Sequence, residues 1–383
     1  MLRILTIFGT RPEALKLAPL IQALRALDDV ELRTCSTGQH RQMLDQVLQL
    51  FAIAPDYELG LMRPGQNLGD VTAGVCQKLG PILEGWRPDW IVVQGDTTTA
   101  FAAALVGFYH RISVAHVEAG LRTGNPWAPW PEEMNRRLIS AIAELHFAPT
   151  RRAMQNLFRE STDPTRVRVT GNTIIDALID VVGRLRSDAT LTAELAQSFP
   201  FLDPAKRLIL VTAHRRESFG EGMEHICQAL AELSARGDVQ VVYPVHLNPQ
   251  VQEPVKRLLA DCPNFFAVEP LDYLPFVFLM DRSYLIITDS GGVQEEAPSL
   301  GKPVLVLRET TERPEAVEAG TVILVGTDPE RIVGEAQRLL DRPAEYTRMT
   351  RVHNPYGDGR AAQRIARELV AWKQLADGRR SAA

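Results

Sequence analysis

Carboxylates, an imidazole and a cation follow five apolar segments of the chain, and these side-chain types suit anion binding and proton transfer. The segments with their polar ends read RILTIFGTRPE, DWIVVQGDTTTA, SVAHVEAGLRTG, LILVTAHRRES and YLIITDSGGVQEE. Ligands of an open parallel sheet bind outside the carboxyl ends of the strands, so we expect these polar ends to meet at one site. The side chains expected there are Arg11, Glu13, Asp96, Glu118, His214, Asp289 and Ser290. Such a set indicates an enzyme.

The turn after the first apolar segment has two interpretations. Residues 9–12, GTRP, could be only a tight connection between a strand and a helix. However, Arg11 and Lys16 place two cations near a helix start, where backbone amides already favour an anion. We therefore expect a phosphate or another substrate anion to contact this turn.

The turn after the last segment, residues 289–292, also has two interpretations. Its glycines let the backbone approach a ligand at a helix start, whereas the alternative is an ordinary capped helix with Glu295 and Glu296 in its first turn. The patterns GxGxxG and GxxxxGK[ST] do not follow any of the apolar segments. Their absence lowers the expectation of a nicotinamide enzyme or a phosphate-loop nucleotidase.

Two carboxylates after apolar segments differ in how easily a structural role explains them. Asp96 precedes three threonines and could cap the following helix. Glu118 precedes the segment AGLRTG, which resembles a loop, so capping does not explain it. Glu132 follows Pro131, and acids are common in a first helical turn without any catalytic role.

The histidines also divide between a site and a structural role. His214 lies between an apolar strand and RRE, where it could act on a substrate or be a satisfied structural histidine. His116 and His246 suit the structural role better. With no further ligand near His116 and Glu118, we expect no metal site.

Apolar strands alternate with amphipathic helices along the chain, which predicts an α/β fold with parallel sheets covered on both faces. The predicted strands lie near 3–8, 31–35, 90–94, 112–117 and 145–148, and then near 208–212, 239–243, 265–268, 284–288, 303–306 and 322–325. Between the two series, residues 163–173 break the rhythm with Pro, Gly and Asn. We expect one doubly wound domain over 1–170, a second over 171–358, and a C-terminal helix over 359–383 that could cross back to the first domain.

Composition limits the classes of partner. The chain has 383 residues, a net charge of −5 and four widely spaced cysteines without a CxxC pair. The negative net charge does not favour binding to nucleic acid or to an anionic membrane. The cysteine spacing predicts neither a set of disulfides nor a zinc site. No segment approaches the roughly 20 apolar residues that a membrane span needs. A reducing cytoplasm fits this composition best.

Ten stretches carry a resemblance to a known family. They are FGTRPEALKLAPL, STGQHRQMLDQVL, VQGDTTTAFAAALV, HVEAGLRTG, PWPEEMNRRLI, VTGNTIIDAL, VTAHRRES, LPFVFLM, TDSGGVQEEAPSLGKPVLVLRETTERPEAVEAGT and VGTD. From about residue 3 to residue 370, and in consistent order, the chain resembles the bacterial non-hydrolysing UDP-N-acetylglucosamine 2-epimerases.

The resemblance implies both an architecture and an activity. The architecture is two Rossmann-like doubly wound domains facing a cleft, as in B-type glycosyltransferases, assembled as a homodimer. The activity is reversible conversion of UDP-N-acetylglucosamine to UDP-N-acetylmannosamine, without a metal or another cofactor, for cell-surface polysaccharide synthesis. The implied route eliminates UDP to give 2-acetamidoglucal and then adds UDP again.

The resemblance also implies roles for individual residues. The catalytic positions are Asp96, Glu118, Glu132 and His214. The positions implied to contact UDP are Arg11, Lys16, Leu271, Phe276, Ser290, Gly291, Gly292, Glu296 and Arg313. Asp96 and Glu118 would handle the C2 proton, and His214 would meet the diphosphate. The family commonly has Gln where this chain has Leu271, so only a backbone contact to uracil is expected there.

A second nucleotide-sugar site is also implied by the resemblance, because many bacterial members bind UDP-N-acetylglucosamine as an activator. The positions that match it are Gln39, His40, Gln42, Gln66 and Arg215. The segment GQHRQ could equally be an ordinary polar helix start. The sequence leaves three alternatives to this epimerase activity: a B-type glycosyltransferase using a UDP-sugar donor, a hydrolysing epimerase and a nucleotide-sugar-binding regulator.

Overall fold

The chain forms two compact units. The computed structural model describes residues 1–38, 41–63 and 65–381, excluding the side chains of residues 41–43 and 373–381. Unit 1 comprises Met1–Ala177 and Tyr356–Ala383, and unit 2 comprises Leu178–Pro355.

Unit 1 contains a parallel sheet whose strands, within the described residues, are β1 (Leu2–Phe8), β2 (Val30–Ser36), β3 (Tyr57–Glu58), β4 (Trp90–Gln94), β5 (Ser113–Val117), β6 (Leu145–Ala148) and β7 (Val167–Val169). Their order across the sheet is β3-β2-β1-β4-β5-β6-β7. The first helices along the chain are α1 (Arg11–Arg25), α2 (Arg41–Leu50), α3 (Leu68–Gly85), α4 (Thr98–Tyr109), α5 (Glu132–Ile142), α6 (Arg151–Arg159) and α7 (Thr173–Ser187).

Unit 2 repeats this arrangement with the strands β8 (Arg207–Thr212), β9 (Val239–Pro244), β10 (Phe265–Val268), β11 (Leu285–Thr288), β12 (Val304–Val306) and β13 (Val322–Leu324). Their order is β10-β9-β8-β11-β12-β13. The remaining helices are α8 (Ala189–Gln197), α9 (Glu221–Ser234), α10 (Pro249–Leu259), α11 (Tyr273–Arg282), α12 (Gly291–Glu296), α13 (Pro314–Ala319), α14 (Pro329–Asp341), α15 (Pro343–Thr350) and α16 (Ala361–Ser381).

The central strands β4 and β11 are mostly apolar, as is usual for parallel strands whose sheet is covered by helices on both faces. Every residue of β4 is buried, and so is every residue of β11. Buried strands of this kind read as continuous apolar runs rather than as alternating patterns. In both sheets the strand order reverses beside the first strand, between β1 and β4 in unit 1 and between β8 and β11 in unit 2. Ligands of doubly wound sheets bind at such reversals.

The predicted α/β fold class is confirmed, and every predicted strand lies within one residue of an observed one. Two further strands were missed. The segment 163–173, which interrupts the sequence rhythm, contains β7 at the edge of the first sheet. The opposite edge is β3, a strand of two residues that is too short to produce a periodic pattern.

The C-terminal helix α16 packs against α1 in unit 1. Its amino end is held by Asp176 in α7, whose carboxylate accepts the backbone N–H groups of Ala361 at 3.2 Å and Ala362 at 2.8 Å. Burial raises the pKa of Asp176 to about 6. Among the helices of the described residues, none combines the length and the apolar character that crossing a bilayer requires.

Gly120, which follows β5, allows its backbone to lie close to the backbone of α6. Its φ is +88°, and a Cβ atom would lie 2.2 Å from the carbonyl oxygen of Ala153 in α6. We expect Gly120→Ala to lower the free energy of unfolding by at least about 2 kcal/mol, because both strain and overlap are introduced.

The matched control is Gly183→Ala in α7, where a Cβ would meet nothing within 4 Å. That change should leave stability equal or raise it by up to about 1 kcal/mol, because alanine is the better helix former. Urea unfolding followed by circular dichroism measures both variants. Equal midpoints for the two variants would contradict the packing described for Gly120.

Candidate active site

The turns that follow β1 and β4 are joined by one buried carboxylate. Glu13 in α1 accepts the backbone N–H groups of Gly9 at 3.0 Å and Thr10 at 2.8 Å. Its other oxygen accepts the hydroxyl of Thr97 at 2.6 Å. Burial raises the pKa of Glu13, and the hydrogen bonds oppose that rise. Glu13 therefore connects the two turns at the strand reversal, and the partly exposed Arg11 begins α1 beside it.

Asp96 lies directly after β4 but does not cap α4. The capping residue is Thr97, whose hydroxyl accepts the N–H of Ala100 at 3.0 Å. Asp96 instead forms an ion pair with Arg136 from α5, and its backbone carbonyl accepts Nδ2 of Asn135 at 2.9 Å. The capping alternative for Asp96 was thus wrong, because its carboxylate is turned to a buried cation.

Glu118 is buried after β5 among groups that stabilise its negative charge. Its side chain is 6% exposed and forms an ion pair with Lys16. Nδ2 of Asn172 donates to Oε2 of Glu118 at 3.1 Å. The backbone of Glu118 has a φ of +64°, which is rare for a residue other than glycine and is typical of functional positions.

Arg136 connects the two carboxylates. Its guanidinium pairs with Asp96, lies 3.6 Å from Oε1 of Glu118, and donates from Nη1 to the backbone carbonyl of Glu118 at 2.5 Å. Arg136 is itself 6% exposed, so these interactions occur away from bulk water, where charge pairs are strong. The arrangement holds two carboxylates beside the same cation, and carboxylates are among the side chains that can act as general acids or bases.

The other predicted residues of unit 1 lie around this cluster. Glu132 begins α5 and is partly exposed, one helical turn from Arg136. His116 is buried in β5, and its Nε2 lies 2.7 Å from the carbonyl of Gly95. Burial lowers the pKa of His116 well below its ordinary value, so this imidazole is neutral and structural, as its sequence position indicated.

In unit 2, His214 follows β8 at the strand reversal. Its side chain is 42% exposed and stacks on His246, with the ring centroids 5.5 Å apart. Asp289, which follows β11, is fully buried and accepts the backbone N–H groups of His214 at 2.6 Å and Arg215 at 2.7 Å. His246, for which a structural role was expected, is exposed, and its Nδ1 accepts the backbone N–H of Asn248 at 3.1 Å.

The glycine-rich turn after β11 leads into a short helix rather than a capped long one. Ser290 is the residue before α12, and its side chain makes no capping hydrogen bond. Glu295 and Glu296 lie in the last turn of α12, so they do not complement its amino end as the alternative required. Arg313 donates from Nε to Glu295 at 2.7 Å.

The two glycines of α12 differ in how closely a side chain approaches them. A Cβ atom at Gly291 would lie 2.5 Å from the guanidinium carbon of Arg313. At Gly292 it would lie 3.4 Å from a carboxylate oxygen of Glu296. Gly291 therefore allows the guanidinium to lie directly against the turn.

The remaining residues of unit 2 that are expected to contact UDP lie near the start of α11. Glu296 is 6% exposed, and its carboxylate accepts the hydroxyl of Tyr273 at 2.7 Å. Burial and the neighbouring Glu296 raise the pKa of Tyr273 well above its ordinary value, so the tyrosine is a permanent donor. Leu271 precedes α11, Phe276 lies within it, and both are partly exposed.

The residues expected to bind an activator are distributed over both units. Gln39 and His40 lie outside the described residues, and the side chain of Gln42 is also outside them. Gln66 lies in the turn before α3, where its Oε1 accepts the backbone N–H of Arg63 at 3.3 Å. Arg215 lies in unit 2 after β8.

Sequence reasoning missed four residues that orient the predicted ones, namely Arg136, Asn172, Tyr273 and His246. Arg136 lies in the quoted stretch PWPEEMNRRLI, yet nothing in the stretch distinguishes it from Arg137, which pairs instead with Glu133 at 2.8 Å.

The chain matches a protein family and individual relatives over nearly its whole length. The family model described as UDP-N-acetylglucosamine 2-epimerase matches residues 22–370. A Salmonella typhimurium protein named UDP-N-acetylglucosamine 2-epimerase is 58% identical over 97% of this chain and 99% of its own length. The Escherichia coli K12 protein of the same name is 57% identical over 96% of this chain and 98% of its own length.

Solved structures agree with these matches. The epimerase of Neisseria meningitidis, bound to UDP-GlcNAc, has a TM-score of 0.89 at 49% identity and covers 97% of this chain and 100% of its own. The Methanocaldococcus jannaschii epimerase, in complex with UDP-GlcNAc and UDP, has a TM-score of 0.79 at 32% identity with the same coverage. Since the family model spans most of the chain and the relatives match it end to end, the chain belongs to the UDP-N-acetylglucosamine 2-epimerase family.

Proposed function

We propose that this protein interconverts UDP-N-acetylglucosamine and UDP-N-acetylmannosamine by inverting C2 of the sugar. The observation that carries the proposal is the pair of carboxylates, Asp96 and Glu118, held by one buried arginine at the carboxyl edge of a doubly wound sheet. Relatives that share more than half of the sequence bear the name of this activity, which supports the same substrate.

The chemistry explains why paired carboxylates are needed. The C2 proton of the sugar is not adjacent to a carbonyl, so a carboxylate cannot remove it directly near neutral pH. When the C1–O bond breaks, its electron pair leaves on the diphosphate, and the oxocarbenium-like C1 acidifies the C2 proton. A carboxylate takes that proton, which gives 2-acetamidoglucal and UDP. Proton delivery to the opposite face of C2 and attack of UDP on C1 complete the inversion.

Asp96 and Glu118 are proposed to take and deliver the C2 proton. Glu118 is buried at 6% exposure with Lys16 beside it, whereas the side chain of Asp96 is 26% exposed. The shared contact with Arg136 keeps the two groups close to one cation as protons move between them and the sugar. Glu132 is proposed to support the cationic sugar intermediate.

His214 is proposed to contact the diphosphate as it leaves C1. Arg11 and Lys16 are proposed to supply positive charge for a substrate phosphate, and Arg11 is the first residue of α1, where helix amides favour an anion. Hydrogen-bond donors and cations aimed at the developing negative charge lower the barrier to departure.

The nucleoside is proposed to bind residues of unit 2. Glu296, oriented by Tyr273, would accept the ribose hydroxyls, and Arg313 would contact UDP beside the turn. Ser290, Gly291 and Gly292 supply a turn whose backbone a phosphate can approach. The ring of Phe276 and the backbone of Leu271 would contact uracil.

We further propose a homodimer in the cytoplasm. Four large apolar side chains of the packed helices α4 and α5 are exposed, namely Phe108, Tyr109, Met134 and Leu138. Large apolar side chains exposed on two packed helices would suit a subunit interface. The four cysteines are free thiols, two of them buried, which suits a reducing compartment.

Proton exchange at C2 tests the reaction directly. In deuterated water, UDP-N-acetylglucosamine should give UDP-N-acetylmannosamine with deuterium at C2, because the removed proton exchanges with solvent before it is replaced. Proton NMR measures the loss of the H2 signal and the identity of the product. Free N-acetylmannosamine would indicate a hydrolysing enzyme, and an unchanged sugar would contradict the proposal.

The roles of the carboxylates can be tested by isosteric substitution. We expect Asp96→Asn and Glu118→Gln each to lower kcat by at least about 100-fold, because the amides keep the shape and cannot exchange a proton. The affinity for UDP should change far less. The control is Glu84→Gln on α3, a carboxylate that is 74% exposed. Near wild-type turnover in Asp96→Asn or Glu118→Gln would remove that residue from the mechanism.

The ribose assignment can be tested with a nucleotide that lacks the hydroxyls. Tyr273→Phe should weaken UDP binding about 5- to 10-fold, because Glu296 loses its orienting donor. Binding of 2′,3′-dideoxy-UDP should be unaffected by the same change. Isothermal titration calorimetry measures both ligands.

Tyr284→Phe is the matched control, since its hydroxyl donates to the carbonyl of Leu339 at 3.3 Å and it belongs to no predicted site. If Tyr273→Phe weakens both nucleotides equally, the assignment of Glu296 to the ribose is wrong.

A further inference from the structure

The two carboxylate oxygens of Asp289 differ, because only one of them accepts hydrogen bonds from the backbone. Oδ2 accepts the N–H groups of His214 and Arg215. Oδ1 is buried, and no group of the described residues donates a hydrogen bond to it. Buried polar atoms in proteins are nearly always hydrogen-bonded, so an oxygen of this kind calls for an explanation.

The ring of His214 supplies the explanation. Its Nδ1 lies 3.4 Å from Oδ1 of Asp289. This distance exceeds the usual hydrogen-bond length of about 2.9 Å by roughly 0.5 Å, and a ring rotation that closes the difference would give Oδ1 its donor. Because Asp289 also holds the backbone of His214, the ring and its main chain are oriented by the same carboxylate.

We propose that Asp289 is a positioning residue that accepts the Nδ1 proton of His214, so that Nε2 is the nitrogen directed to the substrate. The proposal rests on the function proposed above, in which His214 contacts the leaving diphosphate. A carboxylate that fixes the tautomer of an imidazole also stabilises the imidazolium when the other nitrogen gains a proton.

The surroundings of His214 keep the ring neutral until an anion is present. Burial lowers the pKa of His214, the charge of Asp289 opposes that change, and His246 and Arg215 add to it. A neutral imidazole has two tautomers, so the position of its proton has to be set by a partner. When the negatively charged diphosphate reaches Nε2, that nitrogen can take a proton from solvent. The imidazolium then lies between two anions, the diphosphate and Asp289.

The tautomer of His214 can be observed in the unmodified protein. The chain has eight histidines. With ¹⁵N-labelled histidine, the signals of His214 are those that disappear in His214→Asn. At pH 8 and without nucleotide we expect Nδ1 to carry the proton and Nε2 to show the shift of an unprotonated nitrogen. A neutral ring protonated on Nε2 would overturn the proposal, and this measurement needs no substitution of Asp289.

Asp289→Asn tests the catalytic consequence. The amide oxygen of the asparagine can still accept the two backbone N–H groups. The amide NH₂ then faces Nδ1 of His214, so Nδ1 has to be the acceptor. We expect the proton of His214 to move to Nε2 and kcat to fall by at least about 100-fold, as when other buried aspartates that orient imidazoles are replaced. KM should change by no more than about threefold, because the ground-state contacts of the substrate are kept.

Asp56→Asn is the matched control, because the carboxylate of Asp56 also accepts a backbone N–H, that of Thr34 at 2.7 Å, and lies in unit 1. It should keep the wild-type kcat and the wild-type signals of His214. Wild-type kcat in Asp289→Asn together with an unchanged tautomer would overturn the proposal. Wild-type turnover in His214→Asn would instead contradict the function assigned to His214, while the tautomer would still report on Asp289.

Discussion

The reversal of strand order beside the first strand of each sheet is the constraint on which both clusters depend. At a reversal, the turns after two neighbouring strands lead to helices on opposite faces and leave a gap at the carboxyl edge. In each unit a buried carboxylate spans that gap. Glu13 connects the turns after β1 and β4, and Asp289 connects those after β8 and β11. Both carboxylates accept backbone N–H groups of these turns, which stabilises the turns next to Asp96 and His214.

The cluster around Glu118 shows how stability and chemistry are linked in unit 1. A carboxylate at 6% exposure is tolerated because Lys16, Arg136 and Asn172 all contact it. Removing one partner of a buried ion pair leaves an uncompensated charge, which typically costs about 3–5 kcal/mol. Isosteric amides are therefore the informative substitutions at the carboxylates, whereas truncating Arg136 would disturb Asp96 and Glu118 together.

The sequence predicted the strands and the residues directly after them much better than it predicted the partners of those residues. Asp96, Glu118 and His214 follow long apolar runs, and such positions can be recognised from the neighbouring sequence alone. Asn172 follows β7, a three-residue strand in a segment whose Pro and Gly residues suggested only a break. Arg136 comes from the interior of α5, where its sequence neighbours do not distinguish it from Arg137. Long-range pairs of this kind depend on which helix packs beside which strand, and hydrophobic periodicity does not contain that information.

The two sheets share one strand order and carry different chemistry at the reversal. In unit 1 the groups are carboxylates paired with cations. In unit 2 they are an imidazole over a buried carboxylate and a glycine-rich turn beside Arg313, which suit an anion. The fold specifies only where these side chains are presented, since both sheets present them at the same edge. The difference arises from single residues, because Asp96 and Asp289 both follow a central strand, yet one faces a guanidinium and the other faces two backbone amides and a ring. The two aspartates therefore differ in their partners, although the strand order around them is the same.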